Sequence, residues 1–352
     1  MKRVDARDLV LPRIAEMAGY TPGEQPADES RLVKLNTNEN PYPPAPSVAG
    51  AVREAAAQLH LYPEPMADSL RRAAAVRYGV APESILVGNG SDELLSIVLR
   101  ACAGSEGRVA YGVPTYSLYR TLAETVGADI VEFPIERDGE VAAGLAAGAA
   151  DVSFLCTPNS PFGSAVGFDA IESVLDRVSG VVVVDEAYGD FGGRTALPLL
   201  ERWENLVVTR SFSKSFSLAG ARLGLAFGAP ALMSELAKVK DSYNISRLSL
   251  AAGLAALDDH AWMEANVRRV VATRTRVVEA LAGRGWSTRP SEANFFWMDC
   301  AERGGGAPVY SALRKAGVLV RYFDHPGLDG GVRVTVGTDE QMDRFLDALS
   351  RL

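Results

Sequence analysis

The sequence predicts an α/β protein: a large domain with a mostly parallel mixed sheet flanked by helices, then a smaller C-terminal α/β domain. Three observations carry this. Between about residues 66 and 230, helical patterns alternate with short apolar runs. Those runs are rich in β-branched residues, most clearly Val181-Val182-Val183-Val184, which suit buried strands rather than helix pieces. After a long helical region, short strand patterns return near 294–298, 318–321 and 332–336, with a last helix from about Asp339.

In chain order, residues 1–45 read as an irregular arm punctuated by Pro22, Gly23, Pro26, Pro41, Pro43 and Pro44. A helical stretch from about Ser47 to His60 is broken by Tyr62-Pro63-Glu64-Pro65. Helical patterns at Leu70–Tyr78 and Asp92–Cys102 precede the runs 85–87 and 108–111. Further strand runs follow at 130–133, 152–156, 181–184, 206–209 and 223–227. Long helical patterns cover Ala229–Tyr243, Arg247–Asp258 and Trp262–Gly283. The expected division is an arm (1–45) joining the small domain to the substrate site, a large domain (46–240) and a small one (241–352).

The chain has 352 residues, 47% hydrophobic and 23% charged, with a net charge of -8. An acidic balance argues against nucleic acid or anionic membrane as a main partner. The three cysteines, Cys102, Cys156 and Cys300, are scattered and read as reduced thiols. The equally scattered His60, His260 and His325 suggest no metal site. Met1 to Tyr20 carries charges throughout, unlike a signal peptide, and no apolar run approaches a membrane span. A cytoplasmic location is expected.

The segment richest in chemistry is Ser211-Phe212-Ser213-Lys214-Ser215-Phe216-Ser217-Leu218-Ala219-Gly220-Ala221-Arg222-Leu223-Gly224. Lysine is the side chain that forms a Schiff base with an aldehyde cofactor. Ser211, Ser213 and Arg222 suit a phosphate dianion through charge-assisted hydrogen bonds. One lysine among hydroxyls, with glycines and an arginine at this spacing, sets the segment apart from an ordinary Ser-rich loop.

With this segment the chain resembles the fold-type I pyridoxal-phosphate (PLP) aminotransferases, and within them the histidinol-phosphate group. The resemblance runs over nearly the whole chain, through separated motifs in one order. It implies that Lys214 carries PLP. Asp185, in Val184-Asp185-Glu186-Ala187-Tyr188, would meet the pyridine nitrogen and keep the ring an electron sink, with Tyr188 on the ring's phenolic oxygen. Thr157-Pro158-Asn159-Ser160-Pro161-Phe162-Gly163 resembles the family's S-P-N-N-P-T-G loop, with Asn159 as donor to the same oxygen and departures at Ser160 and Phe162. Gly88-Asn89-Gly90-Ser91-Asp92-Glu93 would offer the amides of Ser91 and Asp92 to the phosphate. Tyr116 would stack on the ring, and Tyr62 would reach the cofactor of a partner subunit in a homodimer with shared sites. Taken alone, either tyrosine reads better as core or interface packing.

At the substrate end, an arginine inside an apolar strand needs an anionic partner if buried, and Arg333 is one. The resemblance gives Arg333 the α-carboxylate, and Arg321 and Tyr20 the substrate phosphate. Asn38, Glu39 and Asn294 are further substrate-side candidates, and Tyr243-Asn244 fits the same pattern. The implied partners are a small-molecule amino donor and 2-oxoglutarate, used in ping-pong order. Histidinol phosphate and 2-oxoglutarate would give imidazole-acetol phosphate and glutamate. Two alternatives stay open from sequence: an aromatic amino-acid aminotransferase, and a PLP lyase resembling threonine-phosphate decarboxylase.

Overall fold

A computed structural model describes residues 5–26, 32–135 and 140–352; part of the expected arm, 1–4 and 27–31, lies outside them. Twelve strands form two sheets among the described residues. In chain order they are β1 (Val33–Leu35), β2 (Ile85–Gly88), β3 (Arg108–Val113), β4 (Asp129–Pro134), β5 (Val152–Cys156) and β6 (Val181–Asp185), then β7 (Leu206–Ser211), β8 (Gly224–Gly228), β9 (Ser287–Thr288), β10 (Phe295–Asp299), β11 (Val318–Tyr322) and β12 (Gly331–Thr335).

The larger sheet has the order β2-β8-β7-β6-β5-β3-β4. All its pairings are parallel except those of β8, which runs antiparallel to both β2 and β7. Both faces are covered. Leu155, Val182, Val184 and Val208 belong to one apolar core, and the alternate residues Phe154, Val183 and Val207 to another. This two-sided burial explains why these strands read as continuous apolar runs. In register, Cys156 pairs with Asp185 and Asp185 with Thr209, so one chemical row crosses the carboxyl ends of β5, β6 and β7.

The smaller sheet has the order β1-β11-β12-β10-β9. One face packs Val318, Val320, Val332 and Val334 against Val270, Val277 and Phe345 of the helices His260–Ala282 and Asp339–Leu349. The second of these helices starts at a capping box of Thr338 and Gln341. Alternation along β12 turns Arg333 to the other face, away from that core.

Two expectations are corrected. The arm is not wholly irregular: Pro12–Glu16 is a short helix, and Val33–Leu35 is a strand paired in parallel with β11. A three-residue strand has too little pattern to be seen locally, and its partner lies almost three hundred residues away. The helix expected over Ala229–Tyr243 spans only Pro230–Ala237. Its end tightens through bonds from Lys238 N to Glu235 O and from Val239 N to Leu236 O. The chain then turns, with Lys240 Nζ donating to the carbonyl oxygens of Pro65, Asp241 and Ser242.

Candidate active site

A cavity of about 500 Å³ opens at the carboxyl ends of the parallel strands and is walled by the arm and by the free face of the smaller sheet. Lys214 reaches it from the loop after β7. Phe212 and Phe216 are buried on either side, with ring centroids 4.7 Å apart, and anchor that loop. Asn40 Nδ2 donates to the carbonyls of Lys214 (3.0 Å) and Ser215 (3.2 Å), and Ser215 Oγ donates to Asp190. Asp190 also takes Arg210 Nη1 at 2.8 Å, and Arg210 Nε forms an ion pair with Glu186 at 3.1 Å. The lysine is thus held by its backbone while its amine lies in the cavity, 5.5 Å from the centre of the Tyr188 ring. Burial, with a further push from Arg333, lowers that amine to about 8.

Asp185 ends β6 at the same cavity. Its Oδ2 accepts from Tyr119 (2.7 Å), and its Oδ1 accepts from Thr209 Oγ1 (3.0 Å) and the Ala187 amide (3.2 Å). Burial pushes its carboxyl up, and these donors pull it back. Tyr188 is raised to about 12, chiefly by burial, and its hydroxyl accepts from Asn38 Nδ2 at 3.0 Å.

Ser91 and Asp92 stand in the first turn of the helix Gly90–Cys102, whose free amides favour an anion. Arg222 bridges that turn to the lysine loop, with Nη2 2.9 Å from Asp92 and Nη1 3.3 Å from Ser213 Oγ. Gly90 has φ +77°, which favours glycine, and a Cβ there would push aside the Arg222 guanidinium, whose Nη2 would lie 2.6 Å away. Ser211 Oγ accepts from the Ser213 amide.

Across the cavity, Arg333 donates to Ser160 Oγ and to the Asn36 carbonyl, both at 3.0 Å, while its buried Nε has no hydrogen-bond partner among the described residues. Its guanidinium lies over Phe295 and Phe323. Arg321 pairs in register with Arg333 and donates to the carbonyls of Thr21 and Pro22, drawing the arm over the cavity. Gly23 permits this, since a Cβ there would sit 2.6 Å from Thr37 Cγ2. Tyr20 meets Tyr116 edge-on at 6.2 Å. Neither Arg321 nor Arg333 has a carboxylate partner among the described residues.

The model of aminotransferase class I and II matches residues 30–349. The chain belongs to that family. This aminotransferase is 44% identical to histidinol-phosphate aminotransferase 1 of a Nostoc strain, with 96% of each chain covered. It is 42% identical to the histidinol-phosphate aminotransferase of Geotalea uraniireducens over 96% of this chain and 98% of that one. Among solved structures it resembles histidinol-phosphate aminotransferase from Sinorhizobium meliloti in complex with pyridoxal-5'-phosphate: TM-score 0.87, 27% identity, 97% and 96% coverage.

The aminotransferase is PLP-dependent, and its cavity fits that group. It holds a buried amine of lowered basicity, a carboxylate fixed by three donors, and an anion cradle at a helix N-terminus.

Of the residues expected from sequence, Tyr20, Asn38, Ser91, Asp92, Tyr116, Asp185, Tyr188, Ser211, Ser213, Lys214, Arg222, Arg321 and Arg333 line this one cavity. Four do not. Glu39 bonds to Lys34 and Thr37. Asn294 Nδ2 donates to the Asn38 carbonyl from behind the wall. Tyr62 stacks on Tyr243 at 4.6 Å and is 78% exposed. Asn244 likewise serves structure, donating to Val87 O and Glu93.

The Thr157–Gly163 loop adds a residue to the wall and holds Asn159 against Pro114 and Thr115, which also line it. Ser160, not Asn159, lines the cavity. Asn159 turns inward, with Nδ2 donating to the Pro114 carbonyl and Oδ1 accepting from Thr115 Oγ1. Adjacent residues on a tight turn face different ways, and sequence order alone does not say which faces inward. Tyr119, Thr209 and Asn40 were also missed. Tyr119 lies in the first turn of the helix Leu118–Val126, and its amide donates to the carbonyl of Tyr116 just before that helix.

Proposed function

We propose that this aminotransferase transfers the amino group of histidinol phosphate to 2-oxoglutarate, yielding imidazole-acetol phosphate and glutamate, a step of histidine biosynthesis. The observation that carries the reading is the facing pair Arg321 and Arg333 at the cavity wall. Buried or half-buried cations without carboxylates call for anionic ligands. Arg321, with Tyr20 beside it, takes the substrate phosphate. Arg333 takes the α-carboxylate of glutamate, for which a guanidinium fork is suited. The names of the relatives at 42–44% identity support the same substrate.

PLP, when bound, supplies an aldehyde that captures the amine and a ring that accepts electrons from the Cα–H bond. Lys214 would hold the cofactor, and its amine would take the proton from the substrate Cα as general base. Asp185 faces the ring nitrogen, and Tyr188 the phenolic oxygen. The amides of Ser91 and Asp92, with Ser211, Ser213 and Arg222, hold the phosphate. Tyr116 covers the ring. Asn38 orients Tyr188 and lines the substrate side, and Asn294 braces Asn38. Glu39 and Asn159 act from behind the wall.

The enzyme works as a cytoplasmic homodimer in which Tyr62 serves the neighbouring copy. Its exposure and its distance from the cavity of its own chain support that task. Residues 1–45 act as the arm between the small domain and the substrate site. β1 at the edge of the smaller sheet, with Tyr20 and Asn38 at the cavity, supports this.

The test is a three-way assay: amino transfer from histidinol phosphate, amino transfer from phenylalanine, and carbon dioxide release from threonine phosphate. Histidinol phosphate should be used at least 100-fold more efficiently than phenylalanine, with no carbon dioxide released. Preference for phenylalanine, or decarboxylation, sinks the reading.

A further inference from the structure

We propose that Tyr119 is a positioning residue that fixes the Asp185 carboxylate against the cofactor's ring nitrogen. The inference rests on the reading above, in which Asp185 meets that nitrogen. Tyr119 touches neither substrate nor cofactor space: it is fully buried and does not line the cavity. Its ring stacks on Phe154 at 4.5 Å with an interplanar angle of 8°, and presents an edge to Tyr116 at 5.6 Å. That packing fixes the direction of the hydroxyl, which donates to Asp185 Oδ2 at 2.7 Å.

Thr209 and the Ala187 amide meet the other oxygen, so both carboxylate oxygens are held and rotation of the group is blocked. Among the described residues no cation pairs with Asp185, and a buried carboxylate without one depends on its donors. Tyr119 is the chief group favouring the ionised carboxylate. The other titratable groups around it are Cys156 on β5, Tyr188 after β6, Tyr116, and Asp92 and Lys214 across the cavity. None of these donates a hydrogen bond to it. Tyr119 therefore joins the residue over the ring to the residue at its nitrogen through one rigid side chain.

The experiment measures equilibrium binding to cofactor-free full-length protein, without turnover. The probes are PLP and its analogue with carbon in place of the ring nitrogen. Wild-type protein should prefer PLP. Tyr119→Phe keeps the ring and loses the hydroxyl, which Cys156 also meets, and should weaken PLP at least 10-fold while changing the analogue less than twofold, as expected for losing a hydrogen bond to a charged group. Thr209→Val, which removes the donor from the other oxygen, should reduce the preference in the same direction and gives a second route if the first variant folds poorly. Unchanged preference in both variants overturns the proposal, as does equal weakening of the two probes. If wild-type protein does not discriminate at all, Asp185 does not meet the nitrogen and the underlying reading fails with it.

Discussion

Arg321 on β11 and Arg333 on β12 stand directly opposite each other in register, both at the wall of one cavity. Like charges opposed across antiparallel strands are destabilising unless something lies between them. Arg321 indeed lowers the basicity of Arg333, after the larger effect of burial. The pair is arranged for anions, and this decides the first prediction.

Arg321→Ala should lower kcat/KM for histidinol phosphate by roughly 10- to 100-fold, the loss of charge-assisted bonds worth about 1.5–3 kcal/mol, and leave phenylalanine nearly unchanged. Arg333→Ala should impair 2-oxoglutarate in the second half-reaction. Steady-state kinetics with each substrate varied separately checks both. Equal loss on histidinol phosphate and phenylalanine for Arg321→Ala would remove the phosphate assignment.

Lys214 should react as an amine with a midpoint near pH 8. The neutral amine is the nucleophile, and lowering its basicity increases the neutral fraction at any pH below about 10.4, the ordinary lysine value. Labelling of cofactor-free protein by a small aldehyde, trapped with borohydride, should therefore rise as pH climbs through about 8. Mass spectrometry locates the adduct. Labelling that rises only near pH 10 contradicts the buried amine, and Lys214→Ala should abolish it.

Gly90→Ala should damage the anion cradle. The new methyl would meet Arg222, and the backbone at φ +77° adds strain of about 1–2 kcal/mol. Affinity for PLP should fall about 10-fold as the methyl displaces Arg222, the low end for losing a hydrogen bond to a charged group, while affinity for pyridoxal, which lacks the phosphate, should change little. Calorimetric titration with both compounds separates the outcomes. A matching loss for pyridoxal would place the damage elsewhere.

Asp190→Ala should destabilise the fold by about 3 kcal/mol, the low end for breaking a buried pair, because Arg210 keeps Glu186. It also frees Ser215 beside Lys214. Urea unfolding should show a lower midpoint with an unchanged slope. A midpoint within experimental error of wild type would show that the network contributes nothing.

Much of the site was legible because its chemistry travels in short segments. Ser211 to Gly224, Asp185 with Tyr188, and Gly88 to Glu93 each sit at a strand end, where register brings them to one edge of the sheet. The apolar runs of β5 to β7 revealed a sheet buried on both faces. Where local pattern was thin, the reading failed. Val33–Leu35 became a strand only through pairing with β11, and the turn of the Thr157–Gly163 loop brought Ser160 to the cavity, which its place in the motif did not tell.

By itself, the order of residues determined the alternation of helices and strands, the family, and the short segments that carry the candidate site, because these depend on composition and spacing within a few turns of chain. The tertiary structure alone decided which of those side chains share a cavity. It also set how Asn40, Asp190 and Tyr119 hold Lys214 and Asp185 from distant segments. Burial and through-space hydrogen bonds set basicity and orientation, and neither is a property of neighbours along the chain.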